Sequence, residues 1–189
     1  MPPEPTDEEV ARRALGDKEE FALLIARYEA KLGRYLERLG VAGREDREDI
    51  LQNAFIKAYR NLASFDPELS FSSWMYRIAH NETMTFFRAR RARPTVELDE
   101  EGTSLISEIR DERADTAAAA ALRLSARELG AALERLPQKY RDALTLRFFE
   151  ERSYAEMSDI LEMPVGTVST LIHRAKKALR EMLAGRIDI

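Results

Sequence analysis

An all-α fold, two small helical domains joined by a flexible acidic linker, is what the sequence predicts, on three observations. Apolar residues recur at helical spacing along most of the chain, and no run of useful length alternates with the period of a strand. The periodicity then fails once, in the middle, where acidic residues take over. A chain of 189 residues suffices for one medium domain or two small ones, and the central break favours two.

The first apolar stripe, Phe21, Leu24, Ile25, Tyr28, Leu32, Tyr35, Leu36 and Leu39, predicts a helix that ends at Gly40. After a charged turn at Arg44 to Arg47, a second stripe runs through Ile50, Leu51, Ala54, Phe55, Ala58, Tyr59 and Leu62 and stops before Phe65-Asp66-Pro67, where proline cannot continue it. A third helix spans about Phe71 to Arg91. With short connections these three make one domain, residues 18–93. Ahead of it, Met1 to Glu9 is acidic and proline-rich, unlike a secretory signal, and residues 1–17 read as a flexible N-terminal tail.

Residues 94–115, rich in Glu97, Asp99, Glu100, Glu101, Glu108, Asp111 and Glu112, cannot bury enough apolar surface to fold alone and read as the linker. The Ala117 to Ala121 run has high helix propensity and leads through Leu129, Leu133 and Leu136 to a break at Pro137. Tyr140, Leu144 and Phe148 keep helical spacing, and two more helices follow from Ser153 to about Leu183, completing a second domain, residues 116–189.

Composition narrows the function. With no cysteine and only two histidines, His80 and His173, there is little material for a zinc site, a disulfide framework or a thiol nucleophile, and no cofactor or metal is expected. No apolar stretch approaches the roughly 20 residues of a membrane span, so insertion in a membrane is not expected and the chain is placed in the cytoplasm. Thirty Lys and Arg against 34 Asp and Glu give a net charge of −4, which argues against coating nucleic acid with the whole surface. Charge distribution therefore decides.

Near the C-terminus, Ser153 and Glu156 have capping-box spacing, and the helix they start ends near Glu162-Met163-Pro164. From Val165 a second helix puts Val165, Val168, Ile172, Ala175 and Leu179 on one face, expected in the core. Its other face carries Thr167, Ser169, Thr170, His173, Arg174 and Lys177, groups able to reach base edges and phosphates in a major groove. By pattern alone, a solvated amphipathic helix pair fits too. In the third helix of the first domain, Arg77, His80, Asn81, Met84, Arg88 and Arg91 lie along one stripe opposite Met75, Ala79 and Phe86. Just before it, Phe65, Phe71 and Trp74 surround the Asp66 to Ser70 loop, a composition that suits capture of unstacked bases as well as ordinary packing.

The run Leu133-Glu-Arg-Leu-Pro-Gln-Lys-Tyr-Arg-Asp-Ala-Leu-Thr-Leu-Arg-Phe-Phe149, with Ser153 to Leu161, Pro164 to Val168 and His173 to Arg180, resembles domain 4 of the sigma-70 family, extracytoplasmic-function (ECF) group. Glu48 to Arg60, Phe65 and Phe71 to Asn81 resemble domain 2 of the same group, in the family's order. The resemblance implies a sigma factor that binds core RNA polymerase and promoter DNA, melts the promoter by binding energy without nucleotide hydrolysis, and is restrained by an anti-sigma factor, often membrane-tethered. It implies that Thr170, His173 and Arg174 face bases of the minus-35 element, with Thr167 on the same face and Ser169, Lys176 and Lys177 near the backbone. ECF members commonly carry basic residues where this chain has Ser169 and Leu171, which implies weaker backbone attraction; Leu171 fits the core edge or a thymine methyl. Phe65, Trp74, Arg77, Asn81, Arg88 and Arg91 are implied in minus-ten recognition, with Arg90 and Arg93 on phosphates. The helix Asp49 to Arg60 is implied to dock on a polymerase coiled coil through Asp49, Gln52, Lys57 and Arg60, with Leu51 and Phe55 packing. The linker is implied to thread the active-site and RNA-exit region. A helix-turn-helix regulator that does not bind core polymerase is the main alternative, although no heptad seam for a dimer is visible. A nuclease would need metal-ligand spacing that the carboxylates lack.

Overall fold

In the computed structural model, residues 4–66, 69–92 and 129–184 are described; the linker stretch 94–115, the Ala117 to Ala121 run, Pro67, Glu68 and Arg93 lie outside them. All regular elements among the described residues are helical, in two helical domains, as the sequence predicts.

The first element overturns the tail. Helix α1, Asp7–Ala14, starts on a reciprocal capping box between Thr6 and Glu9 and has Asp7, Glu8 and Glu9 in its first turn, where carboxylates complement the helix dipole. Its Val10, Ala11 and Ala14 are buried, so this short helix is held by packing. Arg27 clasps it from the next helix, donating to Asp7 at 2.7 Å and to the Pro5 carbonyl at 3.0 Å.

Helix α2, Phe21–Arg38, ends on a Schellman motif: Val41 N–H donates to the Leu36 carbonyl at 3.1 Å and Gly40 N–H to Glu37 at 2.9 Å. Gly40 has φ +102°, a left-handed backbone that favours glycine, and a Cβ there would have to displace the Arg141 guanidinium. Helix α3, Arg44–Asn61, begins inside the stretch expected as a charged turn; Glu45 and Asp46 occupy its first turn and Arg44 pairs with Glu48 one turn on at 2.7 Å. A 3₁₀ turn, Leu62–Ser64, precedes α4, Phe71–Ala92, which packs against α2 and α3.

The second domain holds a helical stretch at 129–135 (α5), then α6, Gln138–Leu144. A π turn, Thr145–Phe149, follows. Its wider spacing breaks the register that would have carried Phe148 inward with Tyr140 and Leu144, and Phe148 is exposed. Helices α7, Tyr154–Leu161, and α8, Val165–Ala184, complete the chain, and the Ser153–Glu156 capping box forms.

One apolar core runs through both domains: Tyr35, Phe71, Met75 and Tyr76 of the first belong to the same buried cluster as Leu146, Met157, Ile160, Val168 and Ile172 of the second. The seam is also polar. Glu150 accepts from Arg38 at 2.8 Å and from the Tyr76 hydroxyl at 2.7 Å, Gln138 and Arg141 donate to the Leu39 carbonyl at 3.0 and 3.2 Å, and Arg152 lies 4.3 Å from the Tyr76 ring centre.

Candidate nucleic-acid interface

Helix α8 is anchored by Val168, Ile172 and Ala175, all buried, with Leu179 half-buried. Val165, expected in that core, is instead exposed, at the first position of α8. Leu171 is half-buried and packs against the edge of the core. Thr167, Ser169, Thr170, His173, Arg174, Lys176 and Lys177 are all exposed. Thr170 donates to the Gly166 carbonyl at 3.0 Å, leaving its oxygen lone pairs outward. Lys176 rides 5.1 Å from the Phe148 ring centre, and Lys177 reaches Glu181 at 3.8 Å, an exposed pair that restrains it little.

The turn between α7 and α8 is left-handed at Glu162, φ 52°, unusual for a residue with a side chain. Two bonds hold it: Met163 N–H donates to the Ser158 carbonyl at 3.2 Å, and the Ser158 hydroxyl donates to the Met163 carbonyl at 2.6 Å. Glu162 then accepts from Asn81 Nδ2 at 3.2 Å, so the turn touches α4.

Along α4, Asn81, Arg88 and Arg91 are exposed and Arg77 is half-buried, forming the expected stripe. His80 leaves it. Only 7% exposed, it hydrogen-bonds the Tyr35 hydroxyl at 3.1 Å, and burial pushes its pKa down to about 4 against the opposing charge of Glu162. Phe65 leaves the interface too: it is 8% exposed, edge-on to Phe71 at 5.3 Å and 5.1 Å from the Trp74 ring. Trp74, half-buried, is the aromatic of the three with an accessible edge, backed by both phenylalanines.

On α3, Asp49, Gln52, Lys57 and Arg60 are exposed, and Lys57 is paired with Glu82 of α4. Leu51 and Phe55 are each 8% exposed and serve the domain's own core, so the apolar part of this surface lies elsewhere. Ile56, 41% exposed, and Tyr59, 43% exposed, supply it, with the Tyr59 ring 5.2 Å edge-on from Phe21. Sequence reasoning counted Tyr59 as core and passed over Ile56, although the position of Ile56 beside Phe55 and outside the apolar stripe was a signal.

Among the described residues there is no cluster of metal-binding side chains.

Comparison with known proteins gives the arrangement its family. The profile described as Sigma-70 region 2 matches residues 24–93, and that described as Sigma-70, region 4 matches residues 126–179. The chain is 38% identical over 174 residues to the ECF RNA polymerase sigma factor SigW of Bacillus subtilis, covering 89% of this chain and 91% of that one. It is 35% identical over 188 residues to the ECF RNA polymerase sigma-E factor of Haemophilus influenzae, covering 97% and 96%. In fold it is similar to CnrH in its complex with the cytosolic domain of CnrY (TM-score 0.68, 24% identity, 95% of this chain and 97% of that one). It is similar also to RpoE of Bartonella quintana in complex with the anti-sigma factor NepR (TM-score 0.62, 19% identity, 90% and 99%). With two domain profiles in family order and relatives aligned over nearly its whole length, the chain belongs to the ECF group of RNA polymerase sigma factors.

Proposed function

We propose that this sigma factor reads the minus-35 element with the exposed face of α8 and the minus-ten element with the outer stripe of α4, while docking on core polymerase through α3. The observation that carries it is the division of α8: one side is locked into the core by Val168, Ile172 and Ala175, and the other presents Thr167, Ser169, Thr170, His173, Arg174, Lys176 and Lys177 to solvent. A helix so held can enter a major groove without loss of packing. Run-off transcription with core polymerase on genomic DNA tests the reading and yields the promoter sequence. A regulator that does not use polymerase would give no transcripts.

Arg174→Ala weakens discrimination at one minus-35 position by about 1–3 kcal/mol, the worth of a bidentate guanine contact. An unchanged base preference in a binding competition would remove Arg174 from the set. For minus-ten recognition, Trp74, Arg77, Asn81, Arg88 and Arg91 face the DNA, and Phe65 supports Trp74 from behind.

On α3, Asp49, Gln52, Lys57 and Arg60 surround the exposed Ile56 and Tyr59 as a polar rim around an apolar centre. Asp49→Arg combined with Ile56→Asp weakens core-polymerase binding by more than about 2 kcal/mol, as loss of an interface centre does. Both side chains being outside the core, the thermal midpoint stays near wild type. Normal holoenzyme assembly by this variant would exclude α3 as the docking surface. No helix among the described residues is long and apolar enough to cross a membrane. The chain acts in the cytoplasm, where an anti-sigma factor restrains it, as NepR is seen bound to RpoE.

A further inference from the structure

The first turn of α4 is held in large part by α1. Phe71 N–H, at the start of α4, donates to Glu8 Oε1 at 2.9 Å, 63 residues away in sequence. The next free amides of that turn are met locally, Ser73 N–H by the Ser70 hydroxyl at 3.2 Å and Trp74 N–H by the Ser70 carbonyl at 3.1 Å. A second tie runs beside the first: Tyr28, whose ring packs edge-on against Phe71, donates from its hydroxyl to Asp7, and Asp7 in turn holds Arg27. Glu8 thus caps α4 from another helix, with its carboxylate at the positive end of the α4 dipole.

What this cap controls is Trp74. Phe71 is fully buried and packs against Tyr28, Phe65 and Trp74 at ring-centre distances of 5.7, 5.3 and 5.5 Å. Phe65 and Phe71 both back the Trp74 ring, and the cap fixes the second of them. Helix α1 does not need Glu8 for its own docking, since Val10, Ala11 and Ala14 are buried, Thr6 and Glu9 cap it, and Arg27 clasps it. The Glu8 carboxylate is directed at α4.

We propose that Glu8 is a positioning residue for minus-ten recognition: by fixing the first turn of α4 it sets the attitude of Trp74 toward an unstacked base. The proposal rests on the minus-ten reading given above. It makes α1 part of the DNA-reading unit without itself touching DNA.

The test uses holoenzyme assembled with wild-type, Glu8→Ala, Glu8→Gln or Asn81→Ala chains. The probe is a promoter fragment recovered by run-off transcription, with 2-aminopurine at each non-template minus-ten position in turn to report unstacking. All four bases are then compared at the position that responds. Glu8→Ala lowers preference for the native base by about tenfold, the scale of a hydrogen bond to a charged acceptor. Polymerase affinity and minus-35 duplex binding stay unchanged, and Glu8→Gln, whose amide oxygen still accepts from Phe71, keeps most of the preference. If Asn81→Ala loses base preference and Glu8→Ala does not, the positioning role is overturned while the minus-ten reading stands. If neither variant alters it, the minus-ten reading fails and the proposal with it. A Glu8→Ala chain that merely melts earlier with its base ranking intact, or that loses polymerase binding as well, also overturns it.

Discussion

Glu150→Ala lowers the stability of the free chain by about 3 kcal/mol, because it strips a covered carboxylate from two donors at once. Glu150 is 9% exposed in its side chain and joins α2 to α4 from the far domain, through Arg38 and the Tyr76 hydroxyl. The Tyr76 side chain is buried, so its hydroxyl has no access to solvent in compensation. Arg38 is 35% exposed and recovers part of its hydration, which keeps the loss below that of a fully buried pair. The ranking tests the argument better than the size. Tyr76→Phe and Arg38→Ala each leave Glu150 one partner and cost about 1 kcal/mol apiece, so in urea melts the alanine at 150 stands well apart. Equal effects of all three substitutions would show that Glu150 does not join the two contacts.

Asp142→Asn makes stability depend more steeply on pH between about 4 and 6.5, a window in which two buried groups of the wild-type chain oppose each other. Burial pushes His80 down to about 4 from an ordinary 6.5. In that window the unfolded chain binds the extra proton, so stability rises with pH by about 3 kcal/mol and is complete above 6.5. Burial pushes the Asp142 carboxyl up to about 7 from 3.8, with Gln138 and Arg141 opposing. There the folded chain holds the extra proton, so stability is fullest below 3.8 and falls by about 4 kcal/mol as pH rises through 7. The two slopes nearly cancel. Removing the carboxyl leaves the histidine slope alone, whereas His80→Asn leaves the opposite one, a chain that weakens as pH rises. Urea unfolding of the three proteins at a series of pH values checks this; parallel pH profiles for wild type and Asp142→Asn would sink it.

Local rules made most of the helices legible. Stripes such as Phe21 to Leu39 and the Ser153 capping box depend on spacing and neighbouring groups alone, and both formed where the spacing put them. The N-terminal helix was lost to composition: prolines and acids at its start outweighed a short apolar face of Val10, Ala11 and Ala14 that signals nothing until α2 and α4 cover it. Periodicity assigns faces coarsely, and at the edge of a stripe it fails. His80 sits three residues after Arg77, close enough to be grouped with it, but the Tyr35 hydroxyl 45 positions earlier draws it inward. Phe148 went astray because a single π turn shifts the register of everything after it. Leu51 and Phe55 were given two roles, and burial leaves them one. Glu150 offered no signal at all, since its partners lie 112 and 74 residues away.

The bond between Asn81 and Glu162 sets a geometric condition on promoter binding. In the assignment proposed above, it holds a minus-ten side chain, Asn81, 3.2 Å from Glu162 in the turn of the minus-35 reader. The two elements are separated on duplex DNA by some 25 base pairs, roughly 85 Å at 3.4 Å per pair. A chain in this arrangement can meet one element or the other, and occupying both means drawing the domains apart along the seam. The work of separation is subtracted from the affinity of any complex that spans both elements, so the contacts that steady the free protein also set a threshold its polymerase and promoter must together exceed.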